Sequence, residues 1–280
     1  MVQQHIEGHA VFISPHLDDA VLSCGGTINL LGHIGVPVQV MTVFAASPSN
    51  ELSPLAEWMH RAWRLPYDAP SCRREENNQA LSYLGAQNTC LSFQCSIYRQ
   101  SRHGQHLYTS KEQIFSQKWQ QEPRLLCAMI EELQQRLASS GWAILFAPLG
   151  VGGHVDHLLV HEAAERACAG LNRKEIVFFE DLPYSLEQPA RQKALAQCNL
   201  STEQHLFVSL TDPDMRAKET AIRLYTSQSK DIAGDLGISV DEILEYAYYD
   251  ADHEATSIRE RFWAPRMETL DVLRCALNIY

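Results

Sequence analysis

The chain has 280 residues and a formal net charge of −11 at pH 7, with 45% hydrophobic and 20% charged residues. This composition excludes a disordered or collagen-like chain and provides for one large core or two smaller ones. The negative charge argues against a nucleic-acid or anionic-membrane partner, since both need a cationic face.

Eight cysteines are spread along the chain without a CxxC pair. Several of them, including Cys127 and Cys275, fall within apolar or helical-looking stretches, which favours buried free thiols over a disulfide framework or a cysteine zinc site. The first residues lack the pattern of a signal peptide, and no apolar run approaches the ~18 residues of a membrane span. We therefore expect a cytoplasmic protein without a membrane partner.

Short apolar runs alternate with amphipathic segments of helical length. The runs predict strands at 9–14, 38–44, 142–148, 175–180 and 205–210. The amphipathic segments predict helices at 19–35, 72–86, 122–141 and 155–170. Strand, helix and strand in close succession indicate a βαβ unit and a parallel sheet. We therefore predict a single α/β domain over residues 1–280, Rossmann-like and doubly wound around a mostly parallel central sheet.

Two segments do not follow this alternation. Residues 45–71 and 95–121 are polar, proline-bearing or irregular, and they are long for structureless connections. Long loops in α/β folds usually lie above the carboxyl ends of the strands, where ligands bind. We predict that both are active-site loops.

The stretch FISPHLDDA, residues 12–20, places a histidine and two adjacent aspartates directly after the first strand. Either Asp18 or Asp19 could simply cap the helix that begins there. Two adjacent carboxylates repel each other unless a positive charge lies beside them. Together with His16 they favour a site for a divalent cation.

The stretch APLGVGGHVDHLLVH, residues 147–161, repeats the arrangement after a later strand. His154 and His157 stand three residues apart at the start of a helix, with Asp156 between them. The glycines before them suggest phosphate binding as an alternative, but Val155 occupies the last position of G-x-G-x-x-G and a P-loop lysine is missing. Nucleotide binding is therefore disfavoured.

In a parallel sheet the two loops can lie at the same edge. His16, Asp19 and His157 would then offer three nitrogen and oxygen ligands with an open position, which is typical of catalytic zinc. Asp18 and His154 remain as a base for the water and an acid for the leaving group. The combination predicts metal-assisted hydrolysis, with Zn2+ as the expected cofactor and another divalent metal such as Fe2+ as the alternative.

These two motifs resemble those of the PIG-L family of zinc-dependent de-N-acetylases, also called LmbE-like proteins. PHLDD (15–19) resembles the family's (A/P)HxDD, and HVDH (154–157) resembles its HxDH. Further similar segments extend over most of the chain, at 73–85, 178–184, 218–228 and 260–263.

The resemblance implies zinc ligation by His16, Asp19 and His157, with Asp18 as general base. It implies that His154 is a protonated group that stabilises the oxyanion or protonates the leaving amine.

Two further residues receive roles from the resemblance. Asp156 would orient the His154 ring, and Arg73 matches an arginine that contacts the sugar in some members. For Arg73, a solvated helix face or an ion pair with a nearby glutamate is the alternative.

Three positions depart from the family's pattern. Many members have Glu where this chain has Ala20, some have Asp where it has Cys95, and some have Tyr where it has Gly152. PHLDDAVLS looks more like the branch that includes glycopeptide-antibiotic deacetylases. The departures leave the metal and the base intact, but they make the substrate the least determined part of the prediction.

The predicted function is hydrolytic removal of an N-acyl group, expected to be N-acetyl, from an amino sugar or an amino-sugar-containing conjugate or natural product. One alternative is an amidase acting on a non-sugar or thiol conjugate. Another is a metal-binding protein without turnover, against which the intact Asp18 and His154 argue. The expected partner is a small N-acylated molecule, and a homo-oligomer is compatible with the sequence. Tyr184, Tyr225 and Trp263 could line the pocket or pack in the core.

Overall fold

The computed structural model describes residues 8–65, 67–228, 239–248 and 258–277. The strands are β1 (His9–Ser14), β2 (Val38–Thr42), β3 (Gln87–Cys90), β4 (Trp142–Pro148), β5 (Ile176–Phe179), β6 (His205–Leu210) and β7 (Ile258–Trp263). The helices are α1 (Asp19–His33), α2 (Pro54–Trp63), α3 (Ala69–Tyr83), α4 (Lys111–Ile114), α5 (Pro123–Ala138), α6 (Val155–Gly170), α7 (Gln188–Gln197), α8 (Asp212–Arg223), α9 (Val240–Tyr248) and α10 (Met267–Leu277).

The strands form one sheet in the order β3-β2-β1-β4-β5-β7-β6. β3, β2, β1, β4 and β5 are parallel to one another, whereas β7 is antiparallel to both β5 and β6. This confirms the prediction of a single α/β domain with a mostly parallel central sheet.

Both faces of the sheet are covered by helices, because successive residues of its inner strands point to opposite faces and are apolar on both. Ala10 and Phe12 of β1 pack in a cluster with α1, α3 and α8. Val11 and Ile13, which point to the other face, pack in a second cluster with α5 and α6. Burial on both faces is typical of parallel sheets between two helical layers.

The sequence did not predict strands β3 and β7. β3 reads QNTC, which contains no apolar run, and it is only half buried. β7 reads IRERFW, in which three consecutive charged residues follow Ile258. Neither of them has the continuous apolar run from which the other strands were predicted.

The prediction of a long loop at 45–71 is wrong in the middle of the segment, because α2 occupies Pro54–Trp63. Pro54 stands in the first turn, where the missing N–H costs nothing, and Ser53 Oγ accepts the Ala56 N–H at 3.0 Å. The proline therefore marks a helix start rather than an irregular segment. In 95–121 the structure has only α4 and two short 3-10 turns, so this part is mostly irregular, as expected.

A third apolar cluster joins these two segments to the start of α6. It contains Ala56 and Trp63 of α2, Ile97 and Ile114 of the second segment, and Val155. The two segments therefore form one packed wall beside the second sequence motif.

All eight cysteines are free, as predicted, but Cys127 and Cys275 are exposed rather than buried. Within the described ranges, no helix combines the length and the apolar character needed to cross a membrane.

Candidate active site

The two sequence motifs lie side by side because β1 and β4 are neighbours in the sheet. β1 is followed by α1 on one face, and β4 is followed by α6 on the other. The strand order therefore reverses direction between them, which leaves a crevice at their carboxyl ends. Ligands of open α/β sheets bind at such switch points.

A tight turn after β1 presents the first motif. Ser14 Oγ donates to the His16 carbonyl oxygen at 2.6 Å and accepts the Ala20 N–H at 3.1 Å. Asp19 Oδ2 accepts the His16 N–H at 2.8 Å. Asp18 stands at the N-cap position of α1, but its side chain makes no capping hydrogen bond. The capping alternative therefore does not account for the Asp18 carboxylate.

One oxygen of Asp19 lies between two imidazoles from different motifs. Asp19 Oδ2 is 3.2 Å from His16 Nδ1 and 3.3 Å from His157 Nε2. One nitrogen each from His16, His154 and His157 can be chosen so that all lie within 4.8 Å of one another. His157 Nε2 is buried without a hydrogen-bond partner in the described part of the chain. An orphaned buried imidazole nitrogen beside a carboxylate fits a bound divalent cation.

The charges around this point favour a cation. Burial alone would lower the pKa of His157, but Asp19 and Asp181 raise it to about 9. Burial would raise the pKa of Asp19, but His157 and His16 hold it well below its usual range. The negative field that retains protons on imidazole would equally attract a metal ion.

A carboxylate that the sequence analysis did not identify lies behind His157. Asp181 Oδ1 is 2.6 Å from His157 Nδ1, and Asp181 Oδ2 accepts the N–H groups of Gly150 and Val151 at 2.8 and 2.9 Å. A carboxylate on the far nitrogen fixes the tautomer and the orientation of a ligating histidine. The available signal was FFEDLPY, in which the acidic pair follows β5.

The carboxylate of Asp156 occupies the same position behind His16. Asp156 Oδ2 is 3.0 Å from His16 Nε2 and accepts the Ser96 N–H at 2.9 Å. Asp156 was predicted to orient His154, but its link to that residue runs through the backbone, since the Asp156 N–H donates to His154 Nδ1. Its carboxylate serves His16 instead.

Arg99, also absent from the sequence analysis, holds Asp156 in place. Arg99 Nη1 donates to Asp156 Oδ1 at 2.5 Å, and Arg99 Nη2 donates to Glu122 Oε1 at 2.8 Å. The hydroxyl of Tyr108 donates to the same oxygen of Glu122 at 2.6 Å. The guanidinium also lies 5.2 Å from the ring centres of Phe44 and Tyr108. This buried network connects the 95–121 segment to the second motif and, through Asp156, to His16 of the first.

Asp18 lies beside this cluster with its own partner. Arg73 Nη2 donates to Asp18 Oδ1 at 3.1 Å, and the Arg73 guanidinium lies 4.9 Å from the Trp63 ring centre. Burial raises the pKa of Asp18, and Arg73 opposes part of that rise. The partner of Arg73 is thus neither solvent nor a glutamate, the alternatives considered from the sequence.

His154 caps α6, since its Nδ1 accepts the Asp156 N–H at 3.1 Å. Burial also holds the pKa of His154 well below its usual range. Both facts favour a neutral ring with its proton on Nε2, rather than the protonated ring that the resemblance implies.

A cavity of about 420 Å³ opens over His16, Asp18, Asp19 and His154. Apolar side chains form much of its wall: Leu22, Met59, Trp63, Ile97, Ile114, Phe115, Leu182, Pro183 and Tyr184. The seven residues predicted for the site lie together. Five of them line the cavity, namely His16, Asp18, Asp19, Arg73 and His154, whereas Asp156 and His157 contact His16 and Asp19 from behind.

The three aromatic residues left open by the sequence separate into two groups. Tyr184 lines the cavity, whereas Tyr225 and Trp263 are buried in the core. Gly152 has φ +83°, and a Cβ there would lie 2.8 Å from the Cγ atom of Tyr184. The Tyr184 ring therefore fills the space beside Gly152. Ala20 is also buried in the core.

Comparison with known proteins agrees with the two motifs. The chain is 31% identical to 2'-N-acetylparomamine deacetylase of Streptomyces fradiae over 194 residues, which are 65% of this chain and 60% of that protein. It is 29% identical to the protein of the same name from Niallia circulans over 62% of this chain and 66% of that protein. The chain thus spans less than two thirds of the length of either relative.

Solved structures match over a larger share of the chain. The zinc-inhibited form of teicoplanin deacetylase Orf2 superposes with a TM-score of 0.76 and 26% identity over 91% of this chain and 97% of that one. The A40926 pseudoaglycone deacetylase Dbv21 gives a TM-score of 0.71 and 25% identity over 92% of this chain and 97% of that one.

The family model for GlcNAc-PI de-N-acetylases (PIG-L) matches residues 11–168, which contain both motifs and more than half of the chain. On this match, and on the cluster that the motifs form between β1 and β4, the protein belongs to the PIG-L family.

Proposed function

We propose that the protein is a metal-dependent N-deacetylase that hydrolyses the acetamide group of an amino sugar within a larger natural product. The observation that carries the proposal is the arrangement of His16, Asp19 and His157 around one point, with the Asp18 carboxylate beside them in a large cavity. The relatives named as deacetylases of 2'-N-acetylparomamine, of teicoplanin and of the A40926 pseudoaglycone support this substrate class.

His16, Asp19 and His157 would hold the cation. Two imidazoles and one carboxylate are the ligand types of catalytic zinc, so we propose Zn2+, with Fe2+ as the alternative. When bound, the cation supplies Lewis-acid activation of water and of the amide carbonyl.

Asp18 accepts the proton of the attacking water in this proposal and delivers it to the amine nitrogen as the carbon–nitrogen bond breaks, so that the products are a free amine and acetic acid. Its raised pKa brings the carboxylate closer to the operating pH, which favours general base catalysis. Arg73 keeps the carboxylate in place through the bond to Oδ1.

His154 donates a hydrogen bond from Nε2 to the carbonyl oxygen as that oxygen gains negative charge. The Asp156 N–H, bonded to Nδ1, leaves Nε2 as the protonated nitrogen. A pre-oriented donor of this kind stabilises an oxyanion without being charged itself.

The cavity supports a substrate larger than a simple N-acetyl sugar. Its volume of about 420 Å³ lies within the range of small-molecule sites. The apolar wall that includes Trp63 and Phe115 provides contacts for a non-sugar part of the substrate.

The test is acetate release by metal-reconstituted and metal-depleted protein, with N-acetylated monosaccharides, aminoglycosides and glycopeptides as substrates and with N-acetylated non-sugar amines beside them. We expect metal-dependent release that is fastest on the larger conjugates. Absence of acetate from every substrate at full metal occupancy would contradict the proposal, and release from non-sugar amides alone would favour the amidase alternative.

The role of Asp18 is tested by Asp18→Asn. We expect turnover to fall by at least about 100-fold, the usual contribution of a general base, while the bound metal remains near one equivalent. Glu57→Gln, in the exposed pair with Arg61, is the control and should leave both quantities unchanged. Near-wild-type turnover of Asp18→Asn would refute the base assignment.

A further inference from the structure

A second set of donor atoms lies on the opposite side of the His16 ring. Cys95 Sγ is 3.3 Å from Asp156 Oδ2 and 3.7 Å from His16 Nε2. The third separation, between Asp156 Oδ2 and His16 Nε2, is 3.0 Å. These atoms form a closed triangle that does not include Asp19 or His157.

The triangle matches the dimensions of a tetrahedral metal site. Bonds of about 2.0–2.3 Å at tetrahedral angles separate nitrogen, oxygen and sulfur ligands by roughly 3.3–3.7 Å. Only the contact between the carboxylate and the imidazole is shorter, and a small rotation of either group would lengthen it. Cys95 is half buried and lines the cavity, so a cation and a fourth ligand from solvent can approach it.

We propose that Cys95, Asp156 and His16 Nε2 form a second cation site that is selective for soft divalent ions such as Zn2+ and Cd2+. The thiolate provides this selectivity, because it binds Zn2+ and Cd2+ far better than Mg2+ or Ca2+. The bound cation replaces two protons, one from the Cys95 thiol and one from His16 Nε2, and both are released to solvent.

The site is weaker than the one formed by His16, Asp19 and His157. Arg99 lies 2.5 Å from the other oxygen of Asp156, and its positive charge opposes a second cation. The His16 ring must also serve both sites through its two nitrogens. We therefore expect the second site to fill only after the first.

Filling the second site has a consequence that rests on the proposed function. The cation replaces the proton of His16 Nε2, which breaks the hydrogen bond between the ring and Asp156 that supports His16 as a ligand of the first site. Excess Zn2+ should therefore slow deacetylation, and Cys95 is the residue through which it does so.

The test is a Cd2+ titration of the metal-free protein. Binding is monitored at each addition by the near-ultraviolet charge-transfer absorption of thiolate bound to Cd2+. We expect a first equivalent without this band and a second equivalent with it. Cys95→Ser should bind only the first equivalent, and Cys90→Ser, which removes another half-buried thiol, should behave as the wild type. Absence of the band up to several equivalents, or its persistence in Cys95→Ser, would overturn the proposal.

A second measurement covers the case in which Cys95→Ser does not fold. Alkylation of the wild-type protein, read by mass spectrometry, should slow at Cys95 by at least about tenfold when two equivalents of Cd2+ are present, with no change at the exposed Cys127. Equal alkylation of Cys95 with and without Cd2+ would refute the site.

The binding experiment and the proposed function can fail separately. A protein that shows the thiolate band but releases no acetate keeps the second site and loses the deacetylase assignment. A deacetylase that Zn2+ inhibits equally in Cys95→Ser and in the wild type keeps the reaction and loses the inhibitory role.

Discussion

Two imidazoles face the same carboxylate oxygen of Asp19, but they are supported in different ways. His157 is fully buried, and its partner Asp181 is fixed by two backbone N–H groups. His16 is partly exposed, and its partner Asp156 is fixed mainly by Arg99, Ser96 and Cys95. One histidine is held by the turn after β4, the other largely by the wall of the cavity.

The two sides of the site should therefore respond differently to substitutions. The His157 side depends on backbone geometry that few side-chain changes can disturb. The His16 side shares Asp156 with residues of 95–121, a segment that also contributes Ile97, Ile114 and Phe115 to the cavity. Changes in the substrate wall should therefore reach the metal through His16 rather than through His157.

Of the effects expected from this comparison, the largest is the change of metal affinity with pH. Only neutral imidazole binds a metal, and the pKa of His157 is raised to about 9, so the proton competes with the metal below that value. Metal affinity should increase by about 50-fold from pH 7 to pH 9 through His157 alone. Chelator competition at each pH measures this increase, and a flat profile would contradict it.

Asp181→Ala should have the next largest effect. It removes the carboxylate that orients His157 and leaves the two buried backbone N–H groups without an acceptor. Metal affinity should therefore fall by about 30-fold. The increase of affinity with pH should also become shallower, because the pKa of His157 falls. Ser185→Ala, whose hydroxyl donates to the Asp181 backbone carbonyl, is the matched control and should change affinity little. If both variants lost affinity equally, the effect would lie in the loop and not in the carboxylate.

Arg99→Gln should have a smaller effect on the metal, about tenfold, because Asp156 remains and can still accept from His16. It should also raise the KM for the substrate, since Arg99 anchors the cavity wall to Asp156. Arg61→Gln, which removes a cation from an exposed pair, serves as the control. An Arg99→Gln variant with altered metal affinity but an unchanged KM would separate the wall from the metal and contradict the coupling.

Much of the arrangement around the metal could be predicted from the sequence. PHLDD and HVDH each follow an apolar run, and parallel strands bring their carboxyl ends to one edge. That reasoning needed only local patterns and one rule of topology.

The supporting residues could not be predicted in the same way. Asp181 and Glu180 are adjacent, and only the register of β5 decides that Asp181 turns to His157 while Glu180 accepts from the indole of Trp263. Arg99 lies in an irregular segment, where no periodicity indicates which way a side chain points. Tertiary contacts, rather than local composition, decide both cases.

The position of β7 in the sheet bears on how the protein is made. β5 and β6 do not pair with each other, because β7 lies between them and bonds to both. During synthesis β6 leaves the ribosome well before residues 258–263, and it cannot join the sheet until they arrive. The five parallel strands, among them β1 and β4 with the two motifs, are therefore synthesised before β7, which joins β6 to the sheet last. Premature termination before β7 would leave β5 and β6 each with an unpaired edge open to aggregation.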